Sequence, residues 1–346
     1  MEIQKIGQSI SNFSTRLLKN KTVLKSLEKI SDHGTSFSAS TSLALSLTVR
    51  PMSIFLTPDT EKENKQYAAA NSICSGVIKF GIVESIALPI ENAVKNIDKH
   101  PTKFLTNKTI KNLIKNNEIE KSRSYKLITQ MFKLGTGFLT AVPKSMLTLA
   151  LIPILMDNVF FKNKQKFIEN SQTTTNTKEK SLNFTGHLQD KLSKGFSKII
   201  NSDRIQNLAN KYQNKDKDIA KHMTAATDIL LTTSFAVQTS KSSKIKENRK
   251  KALIYNNVIS TFITLTMGYG IDNLIKKKTG KFVEKFKKIN ATNPKVEKYI
   301  EGINILRPAL IFAGIYYGIL PLFSTFMAEK VDKYIEKHSN KSQTKS

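Results

Sequence analysis

Uncharged stretches long enough to cross a membrane limit the folds open to this chain more than any other feature of its sequence. Residues Pro308–Met327, PALIFAGIYYGILPLFSTFM, carry no charged side chain over 20 residues. About 20 apolar residues in a helix cross the ~30 Å hydrocarbon core of a bilayer. A soluble helix of this length usually has a polar face, and the polar side chains here are only Tyr, Ser and Thr. We therefore expect this segment to cross a membrane.

Five further apolar runs complete two sets of three. No alternation of apolar and polar residues bounded by turn signals stands out, which predicts an all-α fold. Charged residues interrupt the first three runs, so a second interpretation stays open: a soluble or peripheral helical protein whose apolar runs pack against one another. We favour a polytopic helical membrane protein. The runs lie near residues 36–56, 66–94, 134–161, 224–240, 251–275 and 303–328.

An internal repeat organises these runs. KENKQYAAANSI from Lys62 resembles KENRKKALIYNNVI from Lys246, and PIENAVKN from Pro89 resembles GIDNLIKK from Gly270. The matches keep the same order along the chain, which indicates a tandem duplication. Each repeat is predicted to hold one amphipathic surface helix and three apolar helices. The predicted units are a first helical repeat at 1–165, a polar linker at 166–187 and a second helical repeat at 188–346.

The odd number of runs per repeat constrains the predicted topology. If all six runs cross, the second repeat enters with the opposite orientation, which gives a pseudo-symmetric inverted repeat about an axis in the membrane plane. Lys and Arg in short loops mark the cytoplasmic side of a membrane protein. Under this arrangement the short loops favour a multi-pass protein with both termini in the cytoplasm.

A net charge of +28 raises the question of an anionic partner. Nucleic acid is one such partner, because Lys and Arg neutralise phosphates. However, only six of the 55 basic residues are Arg, the residue that best recognises phosphate and guanine in pairs of hydrogen bonds. We therefore expect membrane lipids with anionic head groups as partners and no nucleic acid. The oligomeric state stays open.

Acidic residues followed by Asn occur at matching places in the two repeats. They are Glu91–Asn92 and Asp272–Asn273. One interpretation is a paired polar site for a cation or a substrate amine. The other is hydrogen bonding at a helix end, retained from the ancestral unit.

Arginine enters or adjoins apolar runs at Arg50–Pro51 and Arg307–Pro308. Such residues fit an anion path or a contact with lipid phosphate. For Arg307 the alternative is an anchor at the membrane interface, with Pro308 opening the helix. Other charged residues inside the predicted spans are candidate functional residues, because charges are rare in membrane-spanning segments. The alternative is that they lie near the membrane boundary and reach the head groups. They are Lys79, Glu84, Lys144, Asp157 and Asp228.

Gly314 and Gly318 form a G-x-x-x-G pattern, which predicts close helix packing. Patterns of enzymatic chemistry are missing: the five His residues are dispersed, and the sequence contains no phosphate-binding loop or nucleophile motif. We therefore expect no enzyme, no cofactor and no metal site. The predicted activity is small-solute transport or permeation, or membrane scaffolding. The alternative is a basic helical protein that docks on anionic lipid surfaces.

Overall fold

The computed structural model describes residues 18–57, 62–114, 119–156, 186–215, 217–242 and 247–322. All regular structure within these ranges is helical, so the predicted all-α class is confirmed for the part of the chain that the structure describes. Most of the predicted linker at 166–187 lies outside these ranges, and so does Asp157.

The first half forms a short amphipathic helix followed by longer helices. Asn20 caps α1, because its side chain accepts hydrogen bonds from the backbone N–H groups of Thr22 and Val23 at 2.8 and 3.4 Å. Pro89 lies inside the long helix α4. The elements are α1 (Lys21–Asp32), α2 (Gly34–Leu47), α3 (Val49–Phe55), α4 (Lys62–Lys99), α5 (Pro101–Phe104), α6 (Asn107–Leu113), a 3₁₀ turn (Ile119–Lys121) and α7 (Arg123–Met156).

The second half is also built from short and long helices. Its last helix, α12, continues without a break into a π-helical segment, Ile315–Ile319. The elements are α8 (Gly186–Ile200), α9 (Asp203–Tyr212), a 3₁₀ turn (Gln213–Lys215), α10 (Ile219–Lys241), α11 (Glu247–Ile289) and α12 (Val296–Gly314).

Contacts along the first half set the helix directions. Helix α2 is antiparallel to α4. The backbone N–H of Thr35 donates to Glu91 Oε1 at 2.7 Å, while the Ser72 hydroxyl donates to the backbone carbonyl of Ser46 at 3.1 Å. Helix α4 is antiparallel to α7, since the Tyr125 hydroxyl near the start of α7 donates to Asp98 near the end of α4 at 2.7 Å.

The second half runs in the same direction as the first. Helix α10 is parallel to α7, because Met223 lies beside Gly135 and the Ser234 hydroxyl lies 2.7 Å from that of Ser145. Helix α12 with its π-helical extension runs parallel to α2 and α3, since Ile305 lies beside Gly34 and Gly318 beside Val49. In an inverted repeat, each helix of the second half would run opposite to its counterpart in the first half. Because α2 and α7 are both antiparallel to α4, α10 is instead parallel to its counterpart α2, and α12 is parallel to its counterpart α7. The inverted arrangement predicted from six crossings is therefore wrong for the described helices.

Both helical hairpins turn at one end of the bundle. This lysine-rich end, defined by Lys99, Arg123, Ile289 and Val296, also holds α1, α8 and α9. Met156 and Glu247 lie at the opposite end. The first and last described residues, Leu18 and Leu322, lie at different ends, and the termini themselves, predicted to be cytoplasmic, lie outside the described residues.

Four of the helices are long and apolar enough to cross a membrane, by length and composition. They lie at Ala68–Lys99, Arg123–Leu151, Leu253–Ile289 and Val296–Leu322, and only 17% to 33% of the residues in their most apolar windows are buried. Apolar side chains thus cover the outside of the bundle. Two of the six predicted spans do not qualify: α2 is separated from α3 at Thr48, and α10 carries Asp228 among many Thr and Ser residues.

The apolar core lies at the lysine-rich end. Helix α1 buries Leu24 and Leu27 against α12. At Gly302 a Cβ atom would lie 2.9 Å from the Leu27 carbonyl carbon and closer still to its oxygen, so only glycine allows this approach. A second cluster surrounds Ile97 and Ile200, where α8 and α9 pack on α4 to α7.

Candidate functional site

The carboxylate of Glu91 is fully buried and accepts several hydrogen bonds at the start of α2. The backbone N–H groups of Thr35 and Ser36 donate to its Oε1 at 2.7 and 3.3 Å, and the Ser36 hydroxyl donates to Oε2 at 2.7 Å. His33 Nδ1 lies 3.3 Å from Oε2. A carboxylate at a helix N-terminus satisfies N–H groups that have no partner inside the helix. Glu91 therefore joins α4 to α2.

Asp272 is also fully buried, but its partners are charged. Lys221 Nζ lies 2.7 Å from its Oδ2, and Arg307 Nε lies 2.7 Å from its Oδ1. Asp218 approaches both cations, at 3.8 Å from Lys221 and 3.6 Å from Arg307. The predicted residues Asp272 and Arg307 thus meet in one network that joins α10, α11 and α12.

Asp218 lies outside the four candidate spans, and its environment favours the ionised form. Burial raises the pKa of its carboxyl, but the hydrogen bond from Lys276 and the charges of Lys276, Lys221 and Arg307 together lower it by more. Its net pKa lies below the usual range. The network therefore holds two carboxylates against three cations.

The asparagines beside the two acids do not share these networks. Asn273 is exposed, and the backbone carbonyl of Asn92 accepts a hydrogen bond from Gln189 at 3.1 Å. Each acid–Asn pair therefore places its two side chains in different surroundings. The structure connects Glu91 with the start of α2 and Asp272 with the start of α10, and no hydrogen bond or ion pair joins the two acids within the described residues.

Pro308 lies inside α12, twelve residues after the helix begins at Val296. The interpretation of Arg307 as an interface anchor with Pro308 opening the helix is therefore wrong. Its side chain is only 10% exposed and is turned toward Asp272. Arg50 lies elsewhere, with its guanidinium carbon 4.9 Å from the centre of the Tyr316 ring.

Close helix packing at Gly314 is not observed among the described residues. A Cβ atom there would meet nothing within 4 Å, and one at Gly318 would make an ordinary 3.7 Å contact with Val49. Tight approaches occur instead at Gly302, and at Gly137 against Thr227. The G-x-x-x-G pattern therefore does not mark the close contact of this helix.

A cavity of about 240 Å³ lies between the two halves. Helices α2, α4, α7, α10, α11 and α12 all contribute to its wall. Many of the lining side chains carry hydroxyl groups: Thr35, Ser38, Ser42, Thr224, Thr227, Thr232, Thr261, Thr264, Tyr316 and Tyr317. Hydroxyl groups and apolar side chains therefore share the cavity wall, whereas the outside of the same helices is apolar.

Three charged side chains line this cavity: Lys79 from α4, Lys144 from α7 and Asp228 from α10. Within the described ranges, no ion pair within 4 Å and no direct hydrogen bond connects any of them to another residue. This distinguishes them from Glu91 and Asp272, whose partners are all in place. Charges without a directly contacting partner in an apolar bundle need water or a ligand around them.

The sequence marked Lys79, Lys144 and Asp228 only as charges within apolar runs. It carried no signal for Lys221, whose role depends on the packing of α10 against α11. The hydroxyl-rich face of α2 and α10 was visible as Ser and Thr in GTSFSASTSLALSL and MTAATDILLTTSFAVQTS. Small hydroxyl side chains inside an apolar segment are the signal that could have located the cavity.

In the parts of the chain that the structure describes, no group of three or more His, Cys, Asp or Glu residues could hold a metal ion. The chain matches no protein-family model, no curated protein and no solved structure. The case for function therefore depends on the geometry of the bundle and its cavity.

Proposed function

We propose that this chain is a multi-pass membrane protein whose central cavity is hydrated and binds or passes a small polar solute. The observation that carries the proposal is the presence of three charges without a direct ion pair, Lys79, Lys144 and Asp228, around one cavity. Charges inside membrane-embedded helices face cavities or partners, because lipid cannot solvate them. The apolar, mostly exposed surfaces of the four long helices support insertion into lipid.

The two halves are proposed to be tandem copies that run in the same direction. The two acids support this, because each is fully buried and each contacts the start of the helix that holds the first apolar run of its own half, α2 or α10. The lysine-rich end is proposed to face the cytoplasm, by the excess of positive charge there. Parallel copies related by an axis along the membrane normal occur among transport proteins, where solutes bind between the copies.

Extraction of membranes tests the insertion. We expect alkaline carbonate and high salt to leave the protein in the membrane, while detergent releases it. A peripheral protein held by exposed charge contacts would be released by salt, because ions screen such contacts. Release by carbonate or salt alone would refute the proposal.

Thiol labelling tests the hydrated cavity. Cys74 is the only cysteine, so a Cys74→Ser background allows single cysteines at Ser38 and Thr224, which line the cavity from α2 and α10. A small, neutral, water-soluble thiol reagent should modify both. The matched control is Leu139→Cys, because Leu139 is 59% exposed on the apolar outside of α7 and would face lipid. No reaction at either cavity position would mean that the cavity is dry.

Docking on anionic lipid surfaces is the second candidate. Exposed lysines and exposed apolar residues occur together at the lysine-rich end, as with Phe282 among the lysines of α11 and Leu208 and Tyr212 beside Lys211 on α9. Such a surface attracts anionic head groups. Binding of the detergent-free protein to anionic vesicles but not to neutral ones, with loss in high salt, would favour this function.

A further inference from the structure

We propose that the solute held in the central cavity is a small anion, bound between Lys79 and Lys144, with Asp228 as a fixed counter-charge. This inference rests on the proposed function, because it names the class of solute for the same cavity. The charges that line the cavity come from three helices, two of them supplying ammonium groups and one a carboxylate. In the described part of the wall, α2, α11 and α12 supply no charged side chain.

The balance of these charges favours an anion. One carboxylate cannot neutralise two ammonium groups, so the lining carries one positive charge in excess. Arg50 adds a further positive charge at the edge, where it lies over the ring of the lining residue Tyr316. A cation entering this space would meet two or three like charges, whereas an anion would relieve their mutual repulsion.

The uncharged lining completes a site for an anion. Hydroxyl groups donate hydrogen bonds without adding charge, and those of Ser38 and Thr224 reach the cavity from opposite halves. Neither residue has a side-chain hydrogen bond to another described residue. An anion between the two lysines could therefore accept from ammonium and hydroxyl donors together, as charge-assisted hydrogen bonds require.

The size of the cavity limits the anion to a compact one. About 240 Å³ leaves room for an inorganic anion and several waters, because one water needs only about 10–15 Å³. Chloride and inorganic phosphate share the required chemistry, which is a compact negative charge with several acceptor sites. A competition experiment with the two anions distinguishes them.

Reagents of opposite charge test the sign of the solute. In the Cys74→Ser background, Ser38→Cys and Thr224→Cys would be treated with a thiosulfonate that carries a sulfonate and with one that carries a trimethylammonium group. We expect the anionic reagent to react about tenfold faster or more, since charged clefts concentrate counter-ions by about 10 to 10³. Chloride or phosphate should slow the anionic reagent, and the stronger competitor identifies the preferred ion.

Charge variants show which residues produce this preference. Lys79→Gln combined with Lys144→Gln should remove both the preference and the protection by anions, while Lys144→Arg should keep both. Lys277→Gln serves as the matched control, because Lys277 is exposed on α11 and does not line the cavity. Elution as a single species on size exclusion in detergent, required of every variant, separates loss of charge from loss of fold.

Two negative results remain distinguishable. If the neutral reagent does not reach Ser38→Cys or Thr224→Cys, the hydrated cavity itself is refuted. If the neutral reagent reacts but the two charged reagents react equally, or the cationic one faster, only the anion assignment is overturned. Equal protection by anions in the double Gln variant would also overturn it.

Discussion

Replacing Asp272 with Asn should destabilise the fold strongly. The carboxylate has no exposed surface, and it pairs with Lys221 and Arg307 at 2.7 Å each. Asn has nearly the same shape, so the change leaves no cavity and removes only the negative charge. Loss of one partner from a buried ion pair costs about 3–5 kcal/mol, because the remaining charge stays buried.

The neighbouring carboxylate sets the expected value within that range. Asp218 lies 3.6 Å from Arg307 and 3.8 Å from Lys221, so it still compensates part of their charge. We therefore expect about 3 kcal/mol. At roughly 2 °C per kcal/mol for a large chain, the Tm should fall by about 6 °C.

Thermal unfolding in detergent, followed by circular dichroism, measures this change. The matched control is Asn273→Ala, since Asn273 is the exposed neighbour in the same acid–Asn pair. It should change the stability by no more than about 0.5 kcal/mol. An Asp272→Asn protein with an unchanged Tm would refute the reasoning, and would return Asp272 to the class of candidate solute ligands.

Three further predictions address packing, topology and pH. Gly302→Ala should destabilise the folded protein by about 1–3 kcal/mol, because the new Cβ overlaps a backbone carbonyl. Gly314→Ala should be neutral or stabilising. Equal melting temperatures for the two variants would contradict this prediction. Single cysteines at Lys62 and Lys241 should react with an impermeant reagent from the same side of intact cells, and labelling from opposite sides would restore the inverted arrangement. Asp32 has a lowered folded-state pKa, so its stabilisation should be complete above about pH 4 and lost as the pH falls through that lower value. Asp32→Asn should therefore flatten the acid side of a plot of Tm against pH.

The pH prediction depends on opposing effects at Asp32. Burial raises the pKa of its carboxyl, while the ammonium groups of Lys95 and Lys298, at 2.8 and 2.9 Å, and the charge of Lys133 lower it by more. The folded state thus binds this proton less tightly than the unfolded chain does. Stability must rise with pH through this range.

Helical periodicity and apolar composition were sufficient to predict the fold class and the outward apolar surfaces. Leu24 and Leu27, for example, both lie on the buried face of the amphipathic helix α1. The acid–Asn matches also led to two residues that the structure fully buries, Glu91 and Asp272. Such patterns show which residues share one face of a helix.

Local patterns do not show which helix covers that face. The predicted inversion followed from counting six equal crossings, and it is wrong because Ser145 meets Ser234 in a parallel pair of helices. The partners of Asp272 lie 51 and 35 residues away along the chain, a distance at which no sequence period applies. Whether an interior charge is paired is thus a tertiary property.

The proposed duplication accounts for the difference between interior charges that have direct partners and those that do not. Offsets of 184 and 181 residues align the two KEN segments and the two acid–Asn pairs, and they place Lys79 opposite residues 260–263, which are uncharged. Glu91 and Asp272, in contrast, have retained a carboxylate in both copies.

A feature present in both copies is expected of the framework that each copy needs for folding. A charge present in one copy is expected of a site that the assembled bundle needs only once. Changes at Glu91 and Asp272 should therefore alter stability first, whereas changes at Lys79, Lys144 and Asp228 should alter the solute that the cavity accepts.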